Sequence, residues 1–120
     1  MSTVALTGAT FEDTVKSGVV FVDFWASWCG PCRMFGPVFE SVSADHPDAV
    51  FGKVDIDAER GIAEALQIMS VPTLMAFRDG YLVFSQPGAL NKATFASLVE
   101  KVKALDMDEV HAQSQAAQAS

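Results

Sequence analysis

The chain has 120 residues, half of them hydrophobic, with nine phenylalanines, two tryptophans and a formal net charge of −7. That length sets a single domain as the expectation, and the apolar fraction is ample for one core. No lysine or arginine cluster exists to build the basic face that nucleic acid or an anionic membrane surface requires, so neither is expected as a partner.

The first ten residues, MSTVALTGAT, have no basic start and no long apolar stretch, and so read as neither a secretory signal nor an anchor. No apolar run reaches membrane-spanning length. A cytoplasmic protein is expected. Two cysteines are too few for a secreted disulfide scaffold.

DTVKSG reads as the end of a short helix closed by Gly18. VVFVDFWA, residues 19–26, is almost continuously apolar and rich in β-branched and aromatic residues. This is the pattern of a central strand covered on both faces. RMFGPVFESVSADH follows with helical apolar spacing at Met34, Phe35, Val38, Phe39 and Val42, and Pro37 should kink that helix. Residues 49–57, AVFGKVDID, form a second strand. ERGIAEALQI is a short helix with Ile62, Leu66 and Ile68 inward. In TLMAFRDGYLVFSQPGA two strands meet at an Asp-Gly pair, a strong hairpin signal. NKATFASLVEKVKAL is an amphipathic helix capped by Asn91, with Phe95, Leu98, Val102 and Leu105 on one face. This order predicts an α/β fold with a mixed sheet. The domain is expected over residues 1–105. Residues 106–120, acidic and then rich in Gln, Ala and Ser, read as a mobile tail with room for an extra turn or two of helix.

Both cysteines lie in WCGPC, directly after the first strand. A three-residue separation at a helix start brings two sulfurs within disulfide reach. The first sulfur then lies beside free backbone N–H groups and the positive end of the helix dipole, which favour the nucleophilic thiolate. Pro31 suits a first turn, where its missing N–H is not needed, and Gly30 leaves the approach to Cys29 uncrowded. Cys29 is therefore expected to attack a substrate disulfide, and Cys32 to resolve the mixed disulfide. A zinc site is the structural alternative. A closed site needs a second ligand pair; no second Cys-x-x-Cys exists and the only histidines are the widely separated His46 and His111, so no metal is expected.

DFWASWCGPCR closely resembles the active site of the thioredoxin family. The likeness continues through VFGKVDID, SVPTLMAF, the Asp-Gly turn and PGALNK, in family order, over about residues 3–105. It implies the thioredoxin fold, a central mixed five-stranded sheet flanked by about four helices. It also implies a protein-disulfide reductase that works as a monomer on disulfide-containing client proteins. Such a protein binds no cofactor, its dithiol being the redox centre, and a thioredoxin reductase using NADPH recharges it. By the same resemblance Trp28, Gly30, Pro31, Val71, Pro72, Gly88 and Ala89 form the client-docking face. Pro72 is the cis-proline opposite the disulfide, and the Val71 backbone pairs with an extended client chain. Asp23 becomes a buried acid that takes the Cys32 proton through water, with an outward-facing aspartate as the plain alternative. Lys53 is the family lysine that moderates the Asp23 charge, with a solvated strand lysine as its alternative. Arg33 stands where a lysine is more usual, and Met69 and Ser70 make the groove edge more apolar than usual. A non-catalytic binding subunit and an oxidase or isomerase of the same fold are the rival readings. Intact Cys29, Cys32, Asp23 and Pro72 argue against the first, and the Gly-Pro dipeptide against the second.

Overall fold

The computed structural model describes residues 2–119, with side chains through residue 113. The elements run β1 (Thr3–Ala5), α1 (Phe11–Val15), β2 (Val19–Trp25), α2 (Gly30–Ala44), β3 (Val50–Asp55), α3 (Arg60–Ala65), β4 (Thr73–Arg78), β5 (Tyr81–Pro87), α4 (Lys92–Lys103) and α5 (Met107–Ala119). The five strands lie in the order β1-β3-β2-β4-β5. The first three are mutually parallel, while β4 is antiparallel to both β2 and β5. This is the expected mixed sheet. β1 escaped the reading of the chain in order, because three residues are too few to show an alternation.

β2 is central, and five of its seven residues are buried. Its alternation divides the core. Val20, Val22 and Phe24 face one side, with Phe11, Val15, Val54, Ile62 and Phe77. Phe21 faces the other, with Phe35, Phe39, Phe51, Phe95 and Val99. By the same period of two, Asp23 shares the face of Phe21, the side covered by α2 and α4. Five phenylalanines hold that layer together. Phe39 stacks on Phe95 at 5.5 Å, Phe21 stacks on Phe51 at 5.2 Å, and Phe35 meets Phe95 edge-on at 5.5 Å. These contacts tie the catalytic-motif helix α2 to α4 and to the sheet.

The Asp-Gly hairpin forms as expected, with Asp79 at φ 52° and Gly80 at φ 88°. Two positive φ values match the twist of the flanking strands. The hairpin is pinned to the end of α1 by Asp79 N–H to the Gly18 carbonyl at 2.9 Å. Asn91 caps α4 by accepting the Thr94 N–H at 2.8 Å. Pro37 lies within α2.

Two expectations change. Met34, expected on the apolar face of α2, is 75% exposed, because Phe35 and Phe39 already fill the layer against α4. Beyond Leu105 the chain does not stop at a turn or two: α5 continues to Ala119. Asp106 caps it by accepting the Asp108 and Glu109 N–H groups at 3.0 and 3.3 Å. Arg78 ties the preceding turn down by donating to the carbonyls of Val102, Lys103 and Leu105. His111 then lies against Tyr81, with ring centroids 4.6 Å apart.

Removing the ring at the centre of the aromatic layer tests that account. Phe95→Ala should lower unfolding free energy by ~3–5 kcal/mol in denaturant titration, as expected for a fully buried phenylalanine that leaves a cavity.

Candidate active site

β2 ends at Trp25, and four residues later the chain turns into α2. The burial of β2 and of the first turns of α2 fixes that connection, so Cys29 stands at the helix N-cap. Its sulfur accepts the Cys32 backbone N–H at 3.2 Å, satisfying one of the donors a helix start leaves free. Pro31 occupies the first turn, as expected. Cys29 and Cys32 are joined as a disulfide with Cα atoms 5.3 Å apart. Both residues are buried, at 3% and 6% exposure, against Ala26, Trp25, Ile56 and Val71. Overall exposure therefore does not distinguish the two sulfurs; their positions on the helix do.

The Val71 carbonyl lies 3.5 Å from Cys29 Sγ. The Val71–Pro72 bond is cis. The Pro72 carbonyl accepts the Gly88 N–H at 2.8 Å, which draws the exposed Gly88–Ala89 turn beside the proline loop. Gly88 adopts φ 100°, a conformation that favours glycine. The structure thus brings Cys29, Cys32, Val71, Pro72 and Gly88 to one end of the sheet. Trp28 is 66% exposed and belongs to no core layer. Its indole N–H donates to Asp57 Oδ2 at 2.9 Å. Sequence reading missed Asp57, since nothing local relates it to a tryptophan 29 positions away. Arg33 donates to the Ser27 carbonyl at 3.0 Å, closing the same turn from below.

Asp23 is fully buried, and neither carboxylate oxygen has a hydrogen-bond partner among the described residues. Strand register places Lys53 beside it on β3 and Leu74 on β4. Burial pushes the Asp23 pKa up to about 6, and the positive charge of Lys53 partly offsets that rise. The Lys53 ammonium lies 5.4 Å from the centre of the Trp25 ring. Behind the disulfide, Trp25, Cys32, Arg33, Gly36, Glu40 and Lys53 line an open cleft of about 530 Å³. Glu40 closes one wall of it by accepting the Ser2 N–H at 2.8 Å and the Thr3 hydroxyl at 2.5 Å.

The thioredoxin family model matches residues 2–115. The chain belongs to the thioredoxin family. It is 50% identical over 110 residues to a putative thioredoxin 2 of Streptomyces coelicolor, covering 91% of this chain and 82% of that one. It is 41% identical over 102 residues to a thioredoxin of Staphylococcus saprophyticus, covering 84% and 98%. Among solved structures, it superposes on a mutant thioredoxin of Halobacterium salinarum with TM-score 0.79 at 32% identity, covering 88% and 95%. It superposes on the thioredoxin of Malassezia sympodialis with TM-score 0.76 at 34% identity, covering 86% and 92%. The fold is the thioredoxin fold, and the activity is that of a thiol–disulfide oxidoreductase, a protein-disulfide reductase with a redox-active Cys29–Cys32 pair. Among the described residues no helix is long and apolar enough to cross a membrane.

The raised pKa of Asp23 has a consequence for stability. The unfolded value is near 3.9, so between about pH 4 and pH 6 the folded state holds a proton that the unfolded state has lost. Stability therefore falls as pH rises through that window, and the cost is complete above it. A shift of about two units corresponds to about 3 kcal/mol. Asp23→Asn should stabilise the oxidised protein by ~2–3 kcal/mol at pH 8 and by little at pH 4, read from denaturant melts at the two pH values.

Proposed function

We propose that Cys29 is the attacking thiolate and Cys32 the resolving thiol of a general protein-disulfide reductase. The observation that supports this order is the 3.2 Å hydrogen bond from the Cys32 backbone N–H to Cys29 Sγ. In the reduced protein that N–H and the helix start stabilise negative charge on Cys29 and not on Cys32, which lies one turn in. Cys29 attacks one sulfur of the client disulfide. A mixed disulfide forms, and the client's other sulfur leaves as a thiolate and takes a proton from solvent. Cys32 then loses its proton and attacks Cys29. The client's second thiol is released, and the pair is left oxidised by two electrons while the client is reduced by two.

Asp23 is the acceptor of the Cys32 proton, through water. With a pKa of about 6 it is ionised at neutral pH and close enough to neutrality to take and return a proton. Lys53 tunes that acid from the adjacent strand. Trp28, Gly30, Pro31, Val71, Pro72, Gly88 and Ala89 form the face on which an extended client segment docks. No hydrogen bond among the described residues engages the Val71 N–H, which leaves it for a client backbone. An NADPH-dependent thioredoxin reductase returns the dithiol, and the protein works as a cytoplasmic monomer with no other cofactor.

Cys32→Ser should accumulate a mixed disulfide with client proteins at Cys29, and Cys29→Ser should not, as read by non-reducing gels and mapped peptides. Trapping by the Cys29→Ser variant instead would reverse the two roles. Asp23→Asn should slow exchange about tenfold in reductase-coupled turnover above pH 7.

Residues 1–105 carry this chemistry. α5 contacts the start of β5 through Tyr81, at the opposite end of that strand from Gly88. Truncation after Asp106 should therefore leave insulin reduction within about twofold of the full chain, because among the described residues the removed helix meets β5 at Tyr81, away from the exchange site. A larger loss would show that α5 belongs to the working unit.

A further inference from the structure

Met69 is 93% exposed, and the fold forces it outward. α3 ends with Gln67 at φ 55°, the left-handed residue that closes a helix. Ile68 donates its N–H back to the Ala63 carbonyl at 2.9 Å and packs against the core. The next residue has no core left to enter. Thr73 then fixes the following turn by donating its hydroxyl to the Ser70 carbonyl at 2.7 Å. Met69 thus stands on a held loop, two residues from Val71, a span of at most about 7 Å. The Val71 carbonyl is itself 3.5 Å from Cys29 Sγ.

An isolated exposed apolar residue needs no explanation. Here the setting does. Residues 67–77, QIMSVPTLMAF, contain no charged side chain in a chain of net charge −7. Beside Met69 a shallow cleft of about 440 Å³ is lined by Ala63, Glu64, Gln67 and Ile68. Trp28, which precedes Cys29, and Met34, separated from Cys32 by Arg33, are exposed as well. A methionine is unbranched and polarisable, so it covers apolar groups of varied shape.

We propose that Met69 is a specificity-determining residue, which selects client segments carrying an apolar side chain next to the reacting cysteine and rejects those carrying an acidic one. This rests on the assignment of Cys29 and the Val71 edge made above. A client strand lying along Val71 passes Ser70 and Met69 and sets a neighbouring side chain over the thioether and the cleft. An apolar group there removes both surfaces from water. A carboxylate loses its own hydration against the uncharged 67–77 segment and meets Glu64, the one charged group lining the cleft.

The test uses the pre-reduced full chain in single turnover, followed by tryptophan fluorescence. The substrates are disulfide-linked peptides carrying Leu, Lys or Glu on either side of the cysteine, beside the small neutral disulfide of mercaptoethanol. The wild type should react about tenfold faster with the Leu peptide than with the Glu peptide, the low end of what a small apolar pocket provides. Met69→Gln should bring that ratio below about twofold, and Met69→Lys should raise the Glu peptide to the rate of the Leu peptide or above it. Every variant should reduce the small disulfide at the wild-type rate and keep the wild-type melting temperature. Peptide ratios unchanged by both substitutions would overturn the inference, as would an equal loss on peptides and the small disulfide. A wild type inactive on the small disulfide would instead overturn the assignment of Cys29, and the inference with it.

Discussion

The hydrogen bond from the Cys32 N–H to the Cys29 sulfur is the point at which fold becomes chemistry. It exists only if a helix begins at residue 30, and a helix begins there only if β2 delivers the chain to the end of the sheet with its apolar residues used up. β2 meets both demands because it is buried on both faces between parallel β3 and antiparallel β4. Five interlocking phenylalanines then keep α2 from rotating away from that end. The N-terminal donors of α2 remain aimed at one sulfur, while the other lies inside the first turn. Two chemically identical thiols become different through position alone.

The same strand carries the cost of the design. A carboxyl at Asp23 interrupts an otherwise apolar layer and finds no hydrogen-bond partner among the described residues. Its burial destabilises the folded state at neutral pH, and Lys53 offsets only part of that. A core optimised for stability alone would hold an apolar residue here. The position instead keeps an acid whose affinity for protons lies close to neutrality, next to a layer that excludes most water. Under the proposed role of Asp23, stability and proton transfer make opposite demands on this site.

The far end of the sheet is built by different means. There Arg78 satisfies the carbonyls at the end of α4, Asp79 fastens the hairpin to α1, and Tyr81 receives His111 of α5. The ring contact of α5, His111 on Tyr81, lies at the end of β5 away from Gly88. The exposed face of the dithiol end is composed of Trp28, the proline loop and the Gly88–Ala89 turn.

Much of this was legible in the chain. The continuous apolar run of β2, the Asp-Gly hairpin and the Asn91 cap each rest on local rules that neighbouring residues obey whatever surrounds them. The dithiol was legible for the same reason, since helix start and sulfur spacing are properties of four consecutive residues. The brevity of β1, the exposure of Met34, the Trp28–Asp57 hydrogen bond and the contact of α5 with Tyr81 were not, because each depends on a partner distant in sequence. Asp23 divides along the same line. The sequence by itself determined that a carboxylate sits in an apolar strand. Only the tertiary structure decided which face it takes, that Lys53 and Leu74 flank it, and how far its affinity for protons rises. A pKa is set by the solvent and charge around a group, and strands apart in sequence bring that environment together only when they pair.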